Sequence, residues 1–319
     1  STKREAEQKA KEFEVNTKGQ LIPAEMTVNE MVKLYIDLRS QILSPNTIRG
    51  YRVISRNSYP LIGNITLGRL NNSQIQKEIN LEAARLSPKS IRNIYGLFSA
   101  ALSHYAPDFR LHITYPEHRQ TEIQIPSDMD IQILLGRCAS SRLRLAIELA
   151  ACMGLRRGEI SALQIQDVDL KKRVLHVRHS IAIDDDGNQI EKAPKTKAGK
   201  RNIEIPAFVL PDMTPHMFGK APEDPLLGMS PTAITRAFAR LVKSAGIPHI
   251  TFHALRHYYA SVLLANNVPD KYAMERMGHA TSGMLKRVYQ HTMDSKEKEI
   301  SECVAGYLND VFGSNKSCI

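Results

Sequence analysis

Apolar residues recur at helical spacing along most of this chain, and short polar signals mark where each run starts and stops. Thr27-Val-Asn-Glu30 has the pattern of a capping box, and the "MVKLYIDL" behind it has a helical period. Ser44-Pro45, Ser87-Pro88 and Ser230-Pro231 announce three further helices, with Ser as cap and Pro in the first turn, where its missing N–H costs nothing. Between the first two lies the amphipathic "NNSQIQKEINLEAARL". Residues 25–106 therefore predict a unit of four helices. The stretch 107–126 carries prolines and no helical period, which predicts an interdomain linker.

A second unit is expected over 127–319. "LRLAIELAACMGL" (143–155) is an apolar helix stopped by Gly154. Two segments of alternating character, "RVLHVRHSIAI" and "NQIEKAPKTKAGKRNIEIP", flank the turn-like "DDDGN", so 173–206 predicts a small antiparallel sheet. Helices return over Ser230–Ala245, Thr251–Asn266 and Pro269–Met277, the first and last ended by Gly246 and Gly278. The fold class is mainly α with a small antiparallel sheet, an α+β arrangement. Residues 1–24 open on Ser rather than Met and read as a charged lead-in from a longer chain.

Composition narrows the picture. No apolar run is long enough to span a bilayer. The four cysteines, Cys138, Cys152, Cys303 and Cys318, are scattered, which argues for a reducing compartment and against a disulfide framework or a zinc site. The net charge of +10 favours a polyanionic partner, since each Lys or Arg that meets a phosphate releases counterions.

Candidate chemistry concentrates at "HALRHYYASVLL" (253–264). At about 100° per residue, Leu255, Tyr258, Tyr259 and Val262 share a core face, while His253, Arg256, His257 and Ala260 share the other. Ala260 leaves room for something to lie against that face. Three readings compete there: side chains satisfying internal carbonyls, a metal site, and an anion site. The adjacent Arg repels a cation and no HExxH is present, which weighs against metal. Arg forks onto phosphate oxygens and His adds a donor or proton carrier, which favours the anion. "GLRRGE" (154–159), "PKTKAGKR" (194–201) at the strand-to-strand turn, and "MGHATSGMLKRVYQH" (277–291) add Arg156, Arg157, four basic residues, His279 and Tyr289. In the first unit, "SPNTIRGY" and "SPKSIRNIY" echo one another. Their Ser44, Arg49, Ser87, Lys89 and Arg92 sit at helix starts suited to phosphate, and Lys197 joins them as a candidate DNA contact.

In order and separation, "GLRRGE", "KTKAGKR", "HALRH", "GHA" and the following Tyr resemble the tyrosine recombinase (phage integrase) family, over about residues 25–295. The "KTKAGKR" turn is most similar to integrases of conjugative transposons and temperate phages. The resemblance implies a helical core-binding domain at 25–106 and a catalytic domain with a C-terminal tail helix at 127–319. It implies that Arg156 and Arg256 clamp the scissile phosphate, that Tyr289 is the nucleophile and that Lys195, or else Lys197, is the general acid. His253 and His279 occupy the family's two other catalytic positions, and Glu159 is an acidic support. It further implies double-stranded DNA with a specific site as partner, and a dimer per site that becomes a tetramer. Exchange of the tail helix (Ile300, Val304, Leu308, Val311) would link the protomers. No metal or other cofactor, no membrane and a bacterial cytoplasmic, nucleoid-associated location complete the expectation. A topoisomerase of type IB and a catalytically decayed DNA-binding accessory protein are the alternatives. The family often has Thr-Thr where this chain has Leu285-Lys286.

Overall fold

The computed structural model describes residues 24–117, 124–184, 186–192 and 199–278. They pack around separate cores in two compact units.

The first unit contains α1 (Val28–Arg39), α2 (Pro45–Asn57), α3 (Asn72–Ala83) and α4 (Pro88–Tyr105). The expected capping box is present: Thr27 accepts from Glu30 N, and Glu30 Oε2 accepts from Thr27 N at 2.9 Å. Ser44 and Ser87 cap α2 and α4 with the same geometry. Each hydroxyl accepts from the backbone N–H three residues on and pairs with the hydroxyl of that residue, Thr47 or Ser90. Apolar stripes from the four helices close over Tyr59, Tyr95 and Phe98. A buried carboxylate, Glu78, accepts from Leu61 N at 2.6 Å and Ile62 N at 2.8 Å, so its burial is offset by bonds to a loop that lacks helical partners.

Part of the expected linker behaves differently. Phe109, Leu111, Ile113 and Tyr115 alternate onto the first core. Asn72 and Gln76 of α3 bond the backbone of Arg110, His112 and Thr114 in a ladder of side-chain amides. The period of two in "FRLHITY" is the pattern of a half-buried extended strap, which the search for a helical period overlooks.

The second unit begins with α5 (Asp128–Arg137) and α6 (Ser141–Met153). Gly154 in the left-handed region (φ 69°) ends α6, as its position in the sequence suggests. A short α7 (Arg157–Ala162) follows, then β1 (Val168–Asp169), β2 (Val174–Val177), β3 (Ser180–Ile183), β4 (Gln189–Lys192) and β5 (Arg201–Glu204). After α8 (Leu210–Met213) come α9 (Pro231–Ala245), α10 (Phe252–Ala265) and α11 (Asp270–Met277).

The strands do not form one hairpin sheet. β1, β2 and β5 make a three-stranded antiparallel sheet, while β3 and β4 form a separate antiparallel pair. The run "RVLHVRHSIAI" breaks at Arg178-His179, so β2 turns back to β5 and β3 feeds the 184–188 turn. Consequently the "PKTKAGKR" segment joins two strands of different sheets and is not a turn between paired partners.

Helix α10 also differs from expectation. Leu255 and Tyr259 are buried as the core face requires, but Ala254, Arg256 and Ala260 are buried too. Ala260 does make room, and what lies against it is the chain's own α11, through Ala273 and Met277.

Close approach fixes α7. A Cβ on Gly158 would stand 2.6 Å from the Ile181 carbonyl oxygen and 2.6 Å from Ser180 Oγ on β3. Replacing Gly by Ala in a helix normally stabilises by about 1 kcal/mol, whereas overlap with a backbone atom costs about 1–3 kcal/mol. The clash outweighs the gain: Gly158→Ala lowers stability by up to about 2 kcal/mol in a urea melt, and a more stable variant contradicts this packing.

Candidate active site

The site begins with a capping interaction. Glu159 sits at the third position of α7 and reaches back, so that Glu159 Oε2 accepts from Arg156 N at 2.8 Å. Its other oxygen, Oε1, accepts from Arg156 Nη1 at 2.7 Å. The same carboxylate takes a second, bidentate partner: Arg201 Nη2 reaches Oε2 at 2.8 Å and Nη1 reaches Oε1 at 3.1 Å. One carboxylate thus holds two guanidiniums. Burial would raise the pKa of Glu159, but hydrogen bonds and charge from Arg201, then Arg156, outweigh it and hold the group at about 2.

Arg256 enters from α10 and is 1% exposed. Its Nη1 donates to the Gly154 carbonyl and its Nη2 to the Met277 carbonyl. The reading of the helix face as satisfying internal carbonyls is therefore correct for these two donors. Tyr259 packs its ring against Gly154, where any Cβ would meet ring carbon at 2.5 Å, and so sets the carbonyl that Arg256 uses. Burial and then the Arg156 charge push Arg256 towards losing its proton, and Glu159 offsets only part of this. A guanidinium nevertheless stays protonated, so the consequence is a concentrated positive potential.

Two imidazoles of α10 stand in the same environment. His253 and His257 meet edge to face, with centroids 4.8 Å apart. Burial, His257, Arg256, Arg156 and Arg157 together push His253 down to about 4. His253 is more than a third exposed, so water screens part of this effect. His257 is also pushed down, by burial and Arg256. Both rings are neutral at neutral pH, and His253 can accept a proton or a hydrogen bond.

Of the expected site residues, Arg156, Glu159, His253 and Arg256 come together here. Lys195, Lys197, His279, Tyr289 and the tail-helix residues lie outside the described residues. In the first unit, Arg49 and Arg92 each occupy the fifth position of their helix and are exposed, as is Lys89. Arg92 stacks over the Tyr115 ring at 5.2 Å, while the Ser44 and Ser87 hydroxyls are used as caps. Among the described residues no group of three His, Cys, Asp or Glu could hold a metal ion, and no helix is long and apolar enough to cross a membrane.

Arg201 is the site residue that sequence reasoning missed. It was visible in principle: "RNIEI" alternates, and Ile203 and Ile205 face the core, so Arg201 must face inward with them. An inward arginine needs acceptors for its donors, and here Glu159 supplies two of them.

Glu159 makes the site sensitive to acid. Its stabilisation is present above the ordinary carboxylate pKa of 4.5 and is lost as pH falls towards about 2, on the order of 3 kcal/mol in all. Glu159→Gln, which leaves Arg201 buried without its counter-charge, costs about 3–5 kcal/mol by denaturant melt. For His253 the sign is also unfavourable to the acid fold: the unfolded ring takes its proton near 6.5 and the folded ring only near 4. Proton NMR should place the His253 midpoint below 6.5, and one at or above that value contradicts the positive site.

Known proteins resemble this chain in sequence and in fold. The phage integrase family model matches residues 121–296. A XerC-like tyrosine recombinase of Caldanaerobacter subterraneus is 29% identical over 226 residues, 62% of this chain and 57% of that protein. A putative prophage phiRv2 integrase of Mycobacterium tuberculosis is 31% identical over 164 residues, 48% of this chain and 43% of that one. The chain thus spans about half the length of these curated relatives. Among solved structures, the Tn1549 transposon integrase in complex with a circular intermediate DNA superposes with a TM-score of 0.71 at 21% identity, over 87% of this chain and 99% of that one. A lambda integrase tetramer bound to a Holliday junction gives 0.61 at 18% identity, over 83% and 77%. These two likenesses establish the mainly helical α+β fold, and the family model, which matches more than half of the chain, shows that it belongs to the phage integrase family.

Proposed function

We propose that this chain is a site-specific DNA recombinase that integrates or excises a mobile element. The observation that carries the reading is the concentration of positive charge among the described residues: Arg156 and Arg201 grip the carboxylate of Glu159, and Arg256 stands beside them bonded to backbone carbonyls, next to two neutral imidazoles. Such a site attracts an anion and stabilises charge that grows on it. Membership of the phage integrase family and likeness to integrases solved with DNA support a phosphodiester as that anion.

In this reading Arg156 and Arg256 neutralise the scissile phosphate without a metal ion. The Tyr289 hydroxyl, with an ordinary pKa of about 10, must shed its proton to attack, and neutral His253 accepts it. The phenolic oxygen bonds to phosphorus as the bond to the 5′-oxygen breaks. Lys195, with Lys197 as the other candidate, protonates that leaving oxygen, and His279 binds the phosphate. The 3′-phosphotyrosine ester keeps the bond energy, so a second 5′-hydroxyl can reverse the step without ATP. Arg49, Lys89 and Arg92 contact the DNA backbone from the first unit, with residues 25–106 as core-binding and 127–319 as catalytic domain. A dimer binds each site and a tetramer joins two, with the tail helix as the link between protomers; likeness to a lambda integrase tetramer bound to a Holliday junction supports the tetramer. Such an enzyme works in the bacterial cytoplasm on nucleoid DNA.

The test is a pool of nicked suicide duplexes with a randomised core. The chain should form an SDS-stable adduct with selected duplexes, and Tyr289→Phe should form none. Arg256→Lys should slow adduct formation by about 10²-fold or more, because a lysine cannot replace the fork of donors. Two selected sites should yield joint molecules. Relaxation of supercoils without joint products would make the enzyme a topoisomerase, and no adduct at all would refute catalysis.

A further inference from the structure

Three arginines end on three successive carbonyls. Arg201 Nε donates to Arg276 O at 2.8 Å, Arg256 Nη2 to Met277 O, and Arg156 Nη2 to Gly278 O at 2.8 Å. These carbonyls close the C-terminal end of α11, where intrahelical partners run out and the helix dipole is negative. Gly278 then turns the chain through the left-handed region (φ 61°), and His279 is the next residue. Three cations gather here because the helix end supplies acceptors that a second carboxylate would otherwise have to provide.

Arg156 and Arg256 have roles in the proposed reaction, but Arg201 has none. Its side chain is 3% exposed, and it touches both groups that locate Arg156. One is Glu159, which Arg201 grips through both oxygens while Arg156 is held by Nη1 and backbone N–H. The other is the carbonyl row of α11, whose Gly278 oxygen is the further acceptor of Arg156. Arg201 also opens β5, the strand into which the "KTKAGKR" segment runs, and its Nη1 lies 3.4 Å from Gly199 O. The residue that braces the arginines therefore also bonds the chain at Gly199, just before β5 begins.

We infer that Arg201 is a positioning residue for strand cleavage, setting Arg156 through Glu159 and the α11 end through the Arg276 carbonyl. This rests on the proposed recombinase reading. Lysine cannot do the same, because a single ammonium on a flexible stem cannot span two carboxylate oxygens and a carbonyl at once. A displacement of the phosphate clamp by about 1 Å is enough to cost about 10²-fold in rate.

The test compares wild type, Arg201→Lys and Arg201→Met with a duplex selected for adduct formation by the wild-type chain. Single-turnover cleavage at saturating protein should fall about 10- to 100-fold in both variants, with DNA affinity within about twofold of wild type. That split separates positioning from general damage, which lowers affinity and folded fraction with the rate. Hydrogen exchange supplies an arm independent of cleavage: amides of residues 274–278 should exchange faster in Arg201→Met, with those of α4 unchanged. Arg201→Lys cleaving at the wild-type rate, unchanged exchange at 274–278, or rate and affinity falling together would each overturn the inference. A wild-type chain that forms no adduct with any duplex overturns instead the reading on which it rests, a result the variants cannot mimic.

Discussion

The Glu159 carboxylate is the interaction on which the second unit's site depends. A buried carboxylate and a buried guanidinium each lose their hydration, and attraction between them repays this only when the geometry satisfies several lone pairs at once. Here every strong partner is placed: a backbone N–H from the start of α7, one guanidinium nitrogen of Arg156 and two of Arg201. Two positive side chains, one of them buried, can then stand close together on one carboxylate. Burial, then His257, Arg256 and Arg156, push His253 down and keep its ring neutral.

Geometry elsewhere is subordinate to that pair. Gly158 lets α7 press onto β3, which holds Glu159 near the strand layer, and β5 delivers Arg201 from the neighbouring sheet. Tyr259, wedged against Gly154, fixes one carbonyl for Arg256, while the end of α11 supplies another. The acceptors for a surplus of arginines are thus mostly backbone oxygens at helix ends. That choice keeps the site net positive, as a clamp for an anion must be, because a carbonyl satisfies an N–H without cancelling its charge.

Much of this was legible in the residues alone. Capping serines and threonines, Pro in first turns and Gly at helix ends mark boundaries by local chemistry, and α1, α2, α4, α6 and α9 start or stop where those signals stand. Arg156, Glu159, His253 and Arg256 were legible as a group through the order of their motifs, while the residues of the helix alone left an anion site and the satisfying of internal carbonyls both open. What local periodicity misjudged was anything decided by a distant partner. The strap at 109–115 has a strand's period, but its ladder comes from Asn72 and Gln76. The alternating run 173–183 looks like one strand, and only the separate partners β5 and β4 divide it in two.

By itself the sequence determined most of the longer helices and several of their caps, the α+β class and the residue types able to bind a phosphate, since propensity and capping act within a few neighbouring residues. Tertiary structure alone decided where the charges go. Whether Arg256 faces solvent or carbonyls depends on Gly154 and Met277, which lie 102 and 21 residues away in the chain. Whether Arg201 is a surface cation or a buried brace depends on Glu159, 42 residues away. Coulombic and hydrogen-bond energies depend on distance in space and on the loss of water, and neither is written in the spacing of residues along a chain.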